Sequence, residues 1–333
     1  MKRPLALILA AALVLGQSTP ALAYLKFGVS ISGRQVTLKW AQTPVRYFVS
    51  DAGVPGVSAT DFQNAISRAF ATWQAVPTAS ITYQLAGVTS ANPGRDDGAS
   101  VLGFRSRPEL DRVLASTSFL IDSATGALIE SDIFFNSAFP WSVAAAGEPS
   151  RFDLESIALH EIGHFSGLGH SALGETELLS SGGRRVLAAE AVMFPIAFAA
   201  GSIAGRTLKA DDIAGISDLY PDGDFNTTGG SLSGSVTKDG QPVFGVHVVA
   251  FDAATGVMVG GFTLNAQGQF SIGGLSPGLH IVRVEPIDDA EVDSFFDSSH
   301  IADIDFRVAF LDRVVVVPKG GDSGEVALKV VRK

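Results

Sequence analysis

The 333-residue sequence contains no cysteine. Disulfide staples and thiolate metal sites are excluded, so any metal site must be built from imidazole and carboxylate. Cations are also in short supply: 24 Lys and Arg stand against 34 Asp and Glu, a formal charge of −10 with no basic stretch. That balance argues against nucleic acid as a partner. Past the amino terminus no uncharged apolar run reaches the roughly 18 residues of a membrane span, so no transmembrane segment is expected in the mature chain. Histidine is rare as well, and three of the 6 histidines crowd into 160–170.

Those three lie in His160-Glu161-Ile162-Gly163-His164-Phe165-Ser166-Gly167-Leu168-Gly169-His170. Residues i and i+4 share a helix face, so the rings of His160 and His164 can hold one Zn²⁺. Glu161 follows the first, beside a metal without binding it, where a carboxylate can accept a proton from water and deliver it to a leaving amine. Before His170, Gly167 supplies a position tolerant of positive φ at which the chain can turn back. Three protein ligands leave a fourth position open, the arrangement of a catalytic zinc rather than a structural one.

The amino terminus indicates a location. Lys2 and Arg3 precede an apolar run from Leu5 to Leu15, followed by Gly16, Pro20 and Ala21-Leu22-Ala23. This reads as a secretory signal peptide cleaved after Ala23, and the mature protein is expected to be secreted, extracellular or periplasmic. Hydrophobic residues make up 46% of the chain, enough for sizeable cores in two domains.

Alternation at 34–40 and 45–49 predicts strands. Ser58 with Asp61 predicts a helix start, and Phe62, Ala65, Ile66, Ala69, Phe70 and Trp73 form its buried stripe. Further strands are expected at 80–85, 101–104, 116–122 and 128–136, the last a candidate for bordering a cleft and binding an extended peptide by its main chain. Asp96 and Asp97 read as a solvated turn, with Ca²⁺ binding the alternative. Asp153 is the expected N-cap of the metal-site helix, and Ser156 a candidate for bordering a substrate pocket. Asp211 and Asp212 are expected to favour the start of the last helix electrostatically.

The run 152–171, Ala191-Val192-Met193-Phe194-Pro195 and the run 208–220 resemble the catalytic domain of matrixins, the matrix-metalloprotease branch of the metzincins. Met193 matches their methionine turn, a packing floor beneath the zinc. Pro195 stands where some relatives place a metal-binding tyrosine, so no such ligand is implied. The resemblance runs from about Trp40 to Tyr220. It implies an α+β metzincin (zincin-like) domain with a mixed twisted sheet and three main helices. One catalytic Zn²⁺ would be held by His160, His164 and His170, with Glu161 activating its water against protein or peptide substrates. Three departures stand out. No cysteine is present for a thiolate latency switch, and no histidine precedes His160 to hold a second, structural zinc. His170 and Met193 are 22 residues apart, more than the family usually has, which predicts a surface insertion at 174–185 near the cleft rim.

After Pro221 the texture changes. Residues 222–231 read as a linker, within which Asn226-Thr227-Thr228 is a glycosylation acceptor only in a eukaryotic secretory route. Beyond it, short alternating segments between Gly-rich turns have the rhythm of an all-β sandwich. Gly-Leu-Ser-Pro-Gly-Leu at 274–279 resembles the turn before a late strand in carboxypeptidase-regulatory-like or transthyretin-like modules. The expected organisation is a signal peptide at 1–23, a metalloprotease domain at 24–221, a linker at 222–231 and a sandwich at 232–333. The acidic stretch 288–305 reads as a solvated loop, again with Ca²⁺ the alternative. His247, His280 and His300 are scattered and predict no second metal site. The expected function is a secreted zinc-dependent endopeptidase. The competing expectation is a catalytically silent zincin-fold binding or adhesion protein whose sandwich carries the function.

Overall fold

The computed structural model describes residues 26–31, 34–180, 184–287, 295–296 and 301–333. The signal-peptide reading of 1–23, His300 and most of the acidic stretch lie outside the described residues. No helix among the described residues is long and apolar enough to cross a membrane.

The predicted apolar stripe folds as α1 (Ala59–Gln74), with Ser58 Oγ accepting from the Asp61 N–H at 3.1 Å. All six stripe residues are buried, because a 3.6-residue period keeps them on one face. That face packs on α2 (Leu154–Phe165), and Trp73 Nε1 donates to the Leu159 carbonyl at 2.8 Å. Both helices share a core with Val49, Leu102, Ile133 and Phe135 of a six-stranded mixed sheet. Its order is Lys39–Trp40, Ala127–Asn136, Val101–Arg105, Val45–Ser50, Tyr83–Thr89, all parallel, with Ala115–Ile121 running antiparallel along Ala127–Asn136.

Two strand readings shift. The segment expected at 80–85 starts only at Tyr83, because Ala79 bridges Pro221 and Ser80 donates its N–H to the Tyr220 carbonyl. The strand expected to border a cleft, 128–136, is interior. Ala115–Ile121, which among the described residues pairs with Ala127–Asn136 alone, is the strand that faces the cleft. Alternation reports which face a side chain occupies and is silent on which strand ends the sheet.

The interior strand also carries two buried carboxylates that reach the 92–98 loop. Asp132 accepts the N–H groups of Gly94, Arg95 (3.1 Å) and Val101 (2.6 Å), and Glu130 accepts those of Asp97 (2.9 Å) and Gly98. Burial raises the pKa of both, and these hydrogen bonds pull it back down.

In the carboxy-terminal region, one sheet joins Gln241–Pro242, Gly230–Lys238 and Gln269–Leu275, with Asp322–Val330 parallel to Gly230–Lys238. The other joins Met258–Phe262, His247–Asp252 and Gly278–Glu285 with Ala309–Phe310 and Val315–Val317. Leu232, Val236 and Phe270 of the first share one apolar core with Val248, Val282 and Val284 of the second. The 222–231 segment is not an extended tether. Asp222 Oδ1 accepts from Asp224 and Phe225, starting a single helical turn, Phe225–Thr228, that buries Phe225 beside Gly274. The preceding helix, Ala210–Leu219, lies between the two units: Ile216 and Leu219 enter the first core and Ala214 the second.

Candidate metal centre

Helix α2 has both ends satisfied. Asp153 Oδ2 accepts the N–H and the hydroxyl of Ser156 at 2.9 and 2.6 Å, and Arg206 pairs with the same carboxylate. At the other end Gly167 N–H returns to the His164 carbonyl (2.7 Å) and Leu168 N–H to that of Gly163 (3.0 Å), a Schellman closure. Gly167 takes the left-handed position this requires, φ 103°, and an added Cβ would sit 2.4 Å from the Leu38 carbonyl oxygen. Trp40 Nε1 and Tyr220 Oη donate to the remaining Phe165 and Ser166 carbonyls at 2.8 and 2.7 Å.

The turn brings His170 back to the helix. One ligand nitrogen from each of His160, His164 and His170 lies within 4.8 Å of the other two, the only such cluster among the described residues. His164 Nε2 and His170 Nε2 are 3.1 Å apart. Tetrahedral zinc with Zn–N bonds of about 2.0–2.1 Å sets its nitrogens about 3.3 Å apart, so this spacing fits. The tautomers fit too. His160 Nδ1 meets the Val192 carbonyl at 2.8 Å and His164 Nδ1 the Leu168 carbonyl at 2.7 Å, so each Nδ1 keeps its proton and each Nε2 keeps a lone pair. Burial, reinforced by the neighbouring imidazoles, lowers the pKa of His160 to about 3 and that of His164 well below its ordinary value. Both rings stay neutral, as ligands must.

Glu161 is buried beside them. Burial raises its pKa to about 7, and the Thr117 hydroxyl, donating to Glu161 Oε2 at 2.6 Å, opposes the rise. Thr117 belongs to the edge strand Ala115–Ile121, so one side chain connects the acid to the strand that faces the cleft. Its hydroxyl gives no sequence signal of its own.

Met193 is buried under the helix. A Cβ on Gly163 would lie 2.2 Å from Met193 Sδ and 3.0 Å from the Trp73 ring, which explains glycine at that helix position. The turn is fastened by Asp212, whose carboxylate accepts the N–H groups of Val192 (2.8 Å) and Met193 (3.1 Å) as well as Lys209. Val192 therefore links Asp212, through its N–H, to His160, through its carbonyl. Asp211 faces the other way and accepts the Gly260 N–H from the C-terminal region at 2.7 Å. These two acids thus do more than favour a helix start: one fastens the methionine turn and the other joins the two units.

Pro195 and Ser156 both line the cleft, a cavity of about 1850 Å³ that also contains His160, Glu161, His164 and His170. Ser156 directs its hydroxyl to Asp153 and packs its Cβ against Gly205. The long spacing before Met193 forms a hairpin, Gly174–Leu178 with Arg184–Ala189, and Leu178 near its tip is 69% exposed.

The structural likenesses are remote. The Bacillus anthracis TIE protein matches at 14% identity and TM-score 0.23 over 32% of this chain and 17% of its own. The minor pilin GBS52 of Streptococcus agalactiae matches at 14% and 0.22 over 32% of this chain and 45% of its own. Metalloendoproteinase 1 of Glycine max is 31% identical over 176 residues, 48% of this chain and 45% of that protein, so the chain spans less than half of that relative's length. The matrixin family model matches residues 39–221, more than half the chain and the whole stretch that builds the metal centre. The chain therefore belongs to the matrixins, a family of zinc-dependent peptidases.

Proposed function

We propose that this matrixin is an active zinc endopeptidase, exported after loss of residues 1–23, in which 24–221 cuts peptides and 232–333 forms a carboxypeptidase-regulatory-like sandwich. His160, His164 and His170 hold the metal. Zinc, when bound, supplies Lewis acidity, lowering the pKa of a water and polarising a carbonyl. An extended peptide adds to the outer edge of Ala115–Ile121 by main-chain hydrogen bonds, which brings its backbone past Glu161. Glu161 takes the proton of the attacking water at its carboxylate, with Thr117 holding that carboxylate in place, and returns the proton to the departing amine. Met193 and Pro195 support the floor, and Ser156 borders the cleft.

The observation that carries this reading is a buried carboxylate hydrogen-bonded to a cleft-lining edge strand, beside three converging imidazoles. Zinc analysis, a chelator-sensitive peptidase assay and Glu161→Gln test it. The variant should retain zinc and lose at least about 10²-fold in kcat. Undiminished hydrolysis by Glu161→Gln would falsify the role of Glu161. Absent activity in the zinc-loaded parent would leave only a matrixin-shaped binding protein, and chelator-insensitive activity would remove the metal from the reaction.

A further inference from the structure

The C-terminal region closes the cleft on the side of His170. Phe295 presents its ring edge-on to His170, with centroids 6.2 Å apart and planes at 77°. Behind it Phe295 and Phe296 both pack on Phe262, and Phe296 on Phe244. Ala172, just past His170, belongs to the same apolar cluster, so the loop carrying the third imidazole shares a small core with the sandwich. The junction also has a polar fastening. Asp211 is buried and takes hydrogen bonds from Gly260 of the sandwich and from Ser171. A buried carboxylate satisfied from both units fixes their register in a way a loose tether would not.

Phe244, Leu264, Phe295 and Phe296 line the same cavity as Glu161 and the imidazoles. Phe295 and Phe296 are almost fully covered, while Phe244 and Leu264 are only partly buried and retain apolar surface towards the cleft. These four lining side chains are apolar, and Asn265 beside Leu264 is the polar neighbour that lines the cavity with them. A polypeptide lying past Glu161 meets them on the His170 side. A large apolar side chain there loses water-exposed surface.

We propose that the sandwich supplies one wall of the substrate cleft: Phe244, Leu264 and Phe295 form an apolar subsite beside His170 that selects a large apolar side chain of the bound peptide. This rests on the peptidase reading of the metal centre. It makes the second unit a specificity-determining part of the enzyme rather than an appendage.

Two measurements on the full chain test it. Cleavage profiling across a peptide library should show a demand for Phe, Leu or Met at one position. Leu264→Ala should cut kcat/KM for those peptides about tenfold relative to peptides with Ala at that position, in the range an apolar pocket discriminates. Phe295→Leu, which keeps apolar volume, should give a smaller change of the same sign and guards against an alanine variant that merely loosens the junction. The same peptides are then titrated by fluorescence anisotropy against zinc-loaded Glu161→Gln, with and without Leu264→Ala. If the parent cleaves but its profile is the same in both variants, the subsite proposal is wrong and the peptidase reading stands. If nothing is cleaved yet apolar peptides bind and Leu264→Ala weakens them, the peptidase reading fails and the subsite stands. If nothing is cleaved or bound, both fail.

Discussion

His160 and His164 are held in one way and His170 in another. The first two stand on a helix whose ends are completed within the matrixin region: Asp153 at the start, Trp40 and Tyr220 at the finish, Trp73 between. His170 stands on a loop whose support crosses to the C-terminal region. Within the matrixin region Ser171 N–H reaches the Met193 carbonyl; across the junction Ala172 packs on the cluster of Phe262 and Phe296, and Asp211 is shared between Ser171 and Gly260. Two imidazoles therefore stand on a helix completed within one unit, and the third depends also on how two units pack. Regions held by few local contacts open at lower free energy than the core that surrounds them. Damage at the helix should cost folding stability first, and damage at the loop should cost grip on the metal first.

The helix side is most sharply tested by Gly167→Ala. It forces an alanine into φ 103° and drives a Cβ to 2.4 Å from the Leu38 carbonyl oxygen, for a loss of about 3 kcal/mol in urea unfolding. An unchanged midpoint would remove the turn from the explanation of how His170 returns. Gly163→Ala should cost about 2 kcal/mol, since Met193 and Trp73 must both move. Because Val192 next to Met193 orients His160, it should also speed zinc loss to a chelator. The loop side is tested by Asp211→Ala, which strands the Gly260 N–H and should cost about 1–2 kcal/mol. Its zinc should leave faster than the stability loss alone accounts for, with helix content by circular dichroism unchanged. If Asp211→Ala loses zinc no faster than Gly163→Ala for the same loss of stability, the two-sided scheme is wrong.

The same division separates what could be read in the sequence from what could not. His160, Glu161 and His164 were legible because helical spacing is a local rule, and Gly167 because a closing turn wants positive φ. The stripe from Phe62 to Trp73 was legible for the same reason. Thr117 was not: it meets Glu161 across 44 positions, and nothing in a threonine on an alternating strand names its partner. Asp212 and Asp211 were visible as acids at a helix start, yet their carboxylates serve Met193 and Gly260, contacts fixed by tertiary packing. The cleft-facing strand was misplaced because edge position is a property of the assembled sheet. The closeness of the sandwich to His170 had no sequence signal, since Phe295 lies 125 residues on and touches the site only through the docking of two separately patterned units.

Asp211 allows the comparison to be refined without changing side-chain volume. Burial raises its pKa from the ordinary 3.8 to about 7, while Ser171 and Gly260 pull it back. A carboxyl with a higher pKa in the folded state binds its proton more tightly there. Its contribution to stability is fully present below the unfolded value and is lost as pH rises through about 7. Asp212, raised to about 6, acts in the same direction. The parent should therefore melt at a lower temperature at pH 8 than at pH 5, other groups being equal. Asp211→Asn keeps an acceptor oxygen for Gly260 and carries no charge, so it should flatten that decline by a few degrees and leave the share due to Asp212. Identical pH slopes in the two proteins would mean that Asp211 carries its charge without penalty. The junction beside His170 would then be wetter than the buried carboxylate between Ser171 and Gly260 implies.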